Sequence, residues 1–193
     1  MLLSILIPTI VGREEKYEAL KAEVTKQIAD SPLVEIVTAK DNKEQSIGSK
    51  RQLLLQMATG KYVVFIDDDD WIADNYVGSI LKALAEYPNI DSIGFRIECS
   101  GTKGRTASVS NIYDSWRDNH AGFDYVRTPY HKSPIKRDIA LQIGYRDMRY
   151  AEDHDYSVRL KNSKLVKSEF YIDDVMYYYR YTFEEHNKKY GIK

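Results

Sequence analysis

The run Tyr62-Val63-Val64-Phe65-Ile66-Asp67-Asp68-Asp69-Asp70 passes without a break from five β-branched or aromatic residues into four carboxylates. An apolar run on both faces of an extended chain is the mark of a strand covered on both sides, as in the interior of a parallel sheet. Four adjacent carboxylates repel one another unless cations neutralise them. Alternation along an extended chain puts Asp67 and Asp69 on one side, and Asp68 and Asp70 on the other. A pair of oxygen ligands on one side suits a hard divalent cation, Mg²⁺ or Mn²⁺. A solvated acidic turn capping the next helix is the alternative. The position argues for the site, because doubly wound sheets bind ligands beyond the C-terminal ends of their central strands.

The flanks agree with such a sheet. Before the run, Leu2 to Ile7 reads as a buried strand ended by Pro8, Arg13 to Asp30 as a helix with Tyr17, Leu20, Val24 and Ile28 on one face, and Leu33 to Ala39 as a second strand. Ile47 to Ala58 reads as a second helix with Gly60 at its C-cap. After the run, Asp74 is placed to cap a helix with Val77, Ile80, Leu81 and Leu84 on one face, Pro88 marks its end, and Ile90 to Ile97 is a fourth strand. Alternating strands and helices predict an α/β fold, a mostly parallel twisted sheet with helices on both faces. The residues just after Ile7, Ala39 and Ile66 then edge the ligand crevice. Residues 100–133 have weak periodicity; Ile135 to Ile143 and residues 153–162 read as helices, and Lys164 to Ile172 and Val175 to Tyr181 as strands.

A length of 193 residues fits one domain with a real core. A formal net charge of -1 gives no reason to expect nucleic acid or a membrane surface as partner. The lone Cys99 excludes an intrachain disulfide and a cysteine metal cluster, which fits a reducing compartment. The first apolar run is too short for a signal-peptide core or a membrane span, so a cytoplasmic location is expected. The 16 tyrosines suit a sugar- or ring-binding site and an ordinary core alike.

Three motifs together carry a resemblance. Leu3-Ser4-Ile5-Leu6-Ile7-Pro8-Thr9 resembles the opening of the family 2 glycosyltransferases, whose fold is GT-A. Lys50-Arg51, followed by Ala58 to Asp70, resembles that family's approach to its Asp-x-Asp motif. Tyr150-Ala151-Glu152-Asp153-His154-Asp155-Tyr156-Ser157-Val158-Arg159-Leu160 is similar to its second acidic motif, a Glu-Asp pair before a short helix ending in Arg-Leu. The resemblance spans about residues 1–182 and implies one GT-A domain over 1–193, with a nucleotide-sugar half (1–98) and an acceptor-side half with its tail (99–193).

It further implies an inverting enzyme using Mn²⁺ or Mg²⁺. The donor would be a nucleotide diphosphate sugar, UDP-linked by first expectation, and the acceptor a glycan, a lipid-linked group or a small molecule. By position, Pro8, Thr9 and Asp41 frame the base, Lys50 or Arg51 lies near the base or diphosphate, Asp67 and Asp68 approach the donor, Asp67 and Asp69 face the metal, and Asp153 is the catalytic base. Lys40-Asp41-Asn42-Lys43 departs from the family's Asp-Asp-Gly-Ser turn. In some relatives a late histidine completes the metal shell; here that is His186, with a surface histidine as the alternative.

Chemistry agrees with these roles. A nucleoside diphosphate leaving group gathers negative charge that a divalent cation stabilises, and an acceptor hydroxyl needs a base within reach. A carboxylate at a helix N-terminus stays ionised. Asp153 fits that description, with Glu152 and Asp155 as rivals and a plain N-cap as the structural alternative. The competing functions are a sugar-phosphate nucleotidyltransferase, for which Thr9-Ile10-Val11-Gly12-Arg13 is a weak loop match, and a non-catalytic nucleotide-sugar-binding module. A haloacid-dehalogenase phosphatase needs its Asp-x-Asp-x-Thr/Val early in the chain, and Trp71 occupies the last position here.

Overall fold

The computed structural model describes residues 1–100 and 105–180. The expected ligand His186 lies outside the described residues. The chain runs β1 (Leu3–Ile10), α1 (Glu14–Ile28), β2 (Val34–Asp41), α2 (Ile47–Met57), β3 (Tyr62–Phe65), β4 (Trp71–Ile72), α3 (Tyr76–Glu86) and β5 (Ser92–Ser100). It continues with β6 (Arg105–Val109), β7 (Arg117–His120), β8 (Phe123–Arg127), β9 (Ile135–Lys136), α4 (Arg137–Ile143), α5 (Glu152–Ser163) and β10 (Glu169–Arg180).

The sheet order is β2-β1-β3-β9-β5-β6-β8-β7, with β10 pairing β5 and β4. β2, β1 and β3 are parallel, the frame expected from their alternation with helices. The second half adds β9 antiparallel to both β3 and β5, and β6 antiparallel to β5. Strand alternation divides the core. Leu3, Ile5, Ile7, Val64 and Ile66 pack with Leu20 and Val24 of α1 and Val77, Ile80 and Leu84 of α3. Leu6, Val63 and Phe65 face the other way, onto Leu54 and Leu55 of α2, Ala140 of α4 and Tyr156 and Leu160 of α5. The two-sided apolar character of β1 and β3 follows from these two covered faces. Each fully buried Leu, Ile or Phe there stabilises by about 1.5–3 kcal/mol.

Several local expectations are corrected. β1 does not end at Pro8 but continues to Ile10. Its ladder with β3 stops at Leu6, so Pro8, which has no N–H to give, sits where only β2 is paired. Gly60 is not a C-cap: α2 ends at Met57, and a Cβ at Gly60 would come within 2.6 Å of the Ser4 hydroxyl. Asp74 does not cap α3, whose N-cap is Asn75 with no side-chain bond; instead the Val77 N–H donates to Gln27 Oε1 of α1 at 3.0 Å. Ile135 and Lys136 form β9, not the start of a helix. The two late strands are one, β10, with register shifts between Ile172 and Tyr177.

Candidate active site

The C-terminal ends of β1 and β3, the N-terminal turns of α2 and α5 and the segment after β8 edge one cleft of about 670 Å³. Pro8, Thr9, Lys50, Arg51, Asp67, Asp68, Asp69, Glu152 and Asp153 all line it, so residues up to 145 positions apart converge there. Asp41 lies one step behind, gripped by the Lys50 ammonium, which also donates to the Thr9 carbonyl at 2.8 Å. Burial would raise the Asp41 carboxyl, but Lys50 and the Gln45 N–H pull it below its usual value.

The acidic run is a turn, not an extended strand, because the Asp70 N–H donates to the Asp67 carbonyl at 3.1 Å. The expected two-and-two division of the carboxylates is therefore replaced by a different one. Asp67 accepts from Arg51 at 2.8 Å and lies 3.2 Å from His131 Nε2. Burial opposes its charge, yet Arg51 and His131 hold it well below the ordinary carboxylate range. Asp68 and Asp69 share one cation: Arg13 Nη1 lies 2.7 Å from Asp68 and 3.0 Å from Asp69, and Thr9 Oγ1 donates to Asp68 at 2.7 Å. Asp70 turns inward, to Lys132 at 2.5 Å, the Tyr177 hydroxyl at 2.7 Å and the Arg180 N–H at 2.9 Å.

The result is an uneven charge distribution. Asp69 stays 34% exposed in the cleft. Burial and its three acidic neighbours, only partly offset by Arg13, push its carboxyl up to about 6. That is the condition a cation relieves: hard oxygens crowded together and already converging on one positive group. Asp69, with Asp67 and Asp68 beside it, is thus the least balanced carboxylate of the run. Among the described residues no three His, Cys, Asp or Glu side chains are grouped to hold a metal. An ion bound here must therefore draw ligands from outside the described residues, from a bound phosphate or from water.

Arg51 links the two acidic motifs. Its guanidinium, buried against the Phe65 ring, bonds Asp67 and, at 3.1 Å, Glu152. Asp153, next along α5, points into the cleft and pairs with Arg127 Nη1 at 3.3 Å. It is not the N-cap; Ala151 occupies that position, in a left-handed conformation. Burial raises the Asp153 carboxyl, but His131, Arg127 and Arg51 more than compensate and keep it below its usual value. His131 lies between the acids, with Nε2 toward Asp67 and Nδ1 4.0 Å from Asp153. Burial first, then the charge of Arg51, lowers it to about 4, so it is neutral at physiological pH.

Arg127, His131 and Lys132 escaped the sequence reading, and Arg13 entered it only in the weak loop match of the nucleotidyltransferase alternative. Arg127 to Lys132 fall in the stretch of weak periodicity, and their roles come from tertiary contacts rather than from a motif: Arg127 meets Asp153 of α5, the Phe65 N–H of β3 donates to the His131 carbonyl, and Lys132 meets Asp70. Lys132 is buried between the Tyr177 and Tyr179 rings, at 4.2 and 4.1 Å, with Asp70 as its partner.

Comparison with known proteins agrees with this architecture. The sequence model of Glycosyl transferase family 2 matches residues 18–181. EpsH of Bacillus subtilis (strain 168), assigned by name to the glycosyltransferases, is 24% identical over 148 residues, covering 70% of this chain and 42% of its own. S. aureus TarS 1-349 in complex with UDP-GlcNAc superposes with a TM-score of 0.69 at 16% identity, over 94% of this chain and 59% of that one. A mannosyltransferase from Pyrobaculum calidifontis, PcManGT, in complex with GDP-Man and Mn²⁺, superposes with a TM-score of 0.56 at 15% identity, over 91% of this chain and 56% of that one. The chain thus spans well under two thirds of the length of each. Among the described residues no helix is long and apolar enough to cross a membrane.

Proposed function

The chain belongs to glycosyltransferase family 2, and from that premise we propose that it transfers a sugar from a UDP-sugar to an acceptor hydroxyl, with inversion at the anomeric carbon and a divalent metal. The observation that carries the proposal is the convergence of the two acidic motifs on one cleft, joined through Arg51. TarS bound to UDP-GlcNAc supports the uridine nucleotide, and PcManGT with GDP-Man and Mn²⁺ supports the metal.

Pro8, Thr9 and Lys50, backed by Asp41, form the wall for the nucleoside. Asp69, with Asp67 and Asp68 beside it, would hold Mn²⁺ or Mg²⁺. The metal when bound supplies Lewis-acid stabilisation of the departing diphosphate. The chain's own residues do the rest. Arg51 and His131 fix Asp67, and Arg127 fixes Asp153 with one carboxylate edge toward the cleft. The acceptor oxygen attacks the anomeric carbon, the bond to the diphosphate oxygen breaks, and the hydroxyl proton passes to Asp153. A carboxylate held below its usual pKa is weakly basic but fully ionised at neutral pH, which suits a proton that becomes acidic only as the new bond forms.

The test is a thermal-shift and hydrolysis experiment. UDP with Mn²⁺ should raise the melting temperature, because a ligand of the folded state stabilises it by mass action. Slow release of UDP from UDP-GlcNAc should stop in excess chelator and return with Mn²⁺, and the transferred product should have the opposite anomeric configuration to the donor. Full activity in chelator removes the metal from the proposal, and a product that retains the donor's configuration removes the single displacement.

A further inference from the structure

Helix α2 opens on Ile47-Gly48-Ser49, and a glycine inside a helix supports it less well than alanine would. The structure shows what the glycine provides instead. A Cβ at Gly48 would lie 1.9 Å from the Arg146 carbonyl oxygen and 2.9 Å from the Met148 nitrogen, so no side chain fits unless backbone moves. The close approach is also bonded. The Gly48 N–H, one of the first-turn donors a helix cannot satisfy by itself, donates to the Met148 carbonyl at 3.0 Å. To either side, Ser46 Oγ donates to Asp147 at 2.5 Å and the Tyr145 N–H donates to Gln52 Oε1 at 2.7 Å. Arg149 reaches further back, to the Lys43 and Glu44 carbonyls, both at 3.3 Å. Residues 145–149 are thus zipped along the start of α2 and the turn before it.

The zipped segment leads straight into the second acidic motif. Two residues after Arg149, Ala151 turns the chain into α5 at a φ of 58°, a left-handed conformation that is costly for a residue with a Cβ. Glu152 and Asp153 follow at once, Glu152 on Arg51 and Asp153 on Arg127. The two sides of the zip differ in their freedom to move. α2 is anchored by Leu54 and Leu55, both fully buried, and by the Lys50 ammonium on the Thr9 carbonyl. Arg146, Asp147, Arg149 and Tyr150 are exposed. Crowding at Gly48 therefore displaces the segment rather than the helix, and the displacement passes along the chain to the acids that follow.

We propose that Gly48 is a positioning residue: by letting residues 145–149 close onto α2, it fixes where Asp153 stands in the cleft. This rests on the glycosyl-transfer reading and adds a residue that acts through the base. The test is Gly48→Ala, read as release of UDP from UDP-GlcNAc with Mn²⁺ per folded molecule, together with UDP–Mn²⁺ affinity by calorimetry.

In Gly48→Ala, kcat should fall about 10²-fold, the effect of misplacing a reacting group by about 1 Å, while UDP affinity stays within about twofold of wild type. Because the effect runs through Asp153, adding Gly48→Ala to Asp153→Asn should lower kcat by less than about threefold more. An unchanged kcat, a UDP affinity that falls as far as kcat, or full multiplication of the two losses in the double variant overturns the inference. Should Gly48→Ala fail to fold, Asp147→Ala takes its place, since it removes one bond of the zip from the exposed side. There kcat should fall about two- to tenfold at unchanged UDP affinity, and an unchanged kcat overturns the inference. If wild-type protein hydrolyses UDP-GlcNAc and the variant matches it, the positioning role fails and glycosyl transfer stands. If wild type neither binds UDP nor releases it from UDP-GlcNAc, both readings fail together.

Discussion

A lone acid at one seam of this sheet and a run of four at the cleft behave differently. At the seam where β5, β9 and β10 begin, Asp91 is 13% exposed and fully served: Lys136 Nζ at 2.7 Å, the Lys167 N–H at 2.8 Å and the Ser168 N–H at 3.0 Å. Burial opposes its charge, but Lys136 and these N–H groups pull its carboxyl below the usual value. In the cleft, by contrast, Asp67 to Asp70 compete for Arg13, Arg51 and Lys132, and Asp69 is left with its carboxyl raised. A buried carboxylate with enough donors is a staple. One with too few, at the mouth of a cleft, keeps a charge that the fold leaves unbalanced. Asp70 shares the acidic run and, like Asp69, has its carboxyl raised by burial, but Lys132, Tyr177 and the Arg180 N–H enclose it away from the cleft, as donors enclose Asp91.

The largest expected effect breaks the comparison on the functional side. Asp153→Asn keeps the size of the side chain but cannot take a proton, so kcat should fall by about 10²–10⁴-fold with melting temperature and UDP affinity near wild type. Near-normal kcat would end the assignment of Asp153 as base. Lys132→Met tests whether Asp70 is a staple. Removing one member of a buried pair leaves the other charge stranded, so stability in urea should drop by about 3–5 kcal/mol. A loss under about 1 kcal/mol would return Asp70 to the binding group.

Asp91→Asn probes the satisfied seam, at a cost of about 1–3 kcal/mol at neutral pH. The sign of its pH dependence follows from the depressed folded pKa. The contribution of Asp91 is fully present above the unfolded value near 3.9 and is lost as pH falls through the folded one. Urea titrations of wild type and variant should therefore keep a constant gap from pH 7 to about 5 and converge below about 4. A gap that widens in acid contradicts the staple.

The smallest effect has the opposite sign. Asp69→Asn removes one of four crowded charges, so the ligand-free protein should melt up to about 2 °C higher at pH 7.5. The stabilisation by UDP with Mn²⁺ should shrink in the same variant. Lower intrinsic stability together with an undiminished UDP–Mn²⁺ shift would show that Asp69 is not the unsatisfied group.

The sequence by itself determined the frame. Runs of apolar residues at strand and helix periods placed β1 to β3 with α1 and α2, and this located Pro8, Thr9 and Asp67 to Asp69 at the ligand end; the Glu152-Asp153 pair was marked by the family resemblance. These are local signals, written into residues a few positions apart, and chain connectivity then requires parallel strands to point their C-terminal ends the same way. Only the tertiary structure decided what each acid does. Whether Asp70 faces ligand or Lys132, whether Asp68 and Asp69 share Arg13, and that Arg127 and His131 flank Asp153 all depend on contacts across 22 to 62 positions of chain. Strand β10 is the clearest case: its Asp173-Asp174 interruption reads as an end, yet β5 carries the pairing past it through a shift in register. Periodicity records which face of an element is buried. Which charge meets which is set by long-range packing, and it is the balance of those charges that separates a site from a staple.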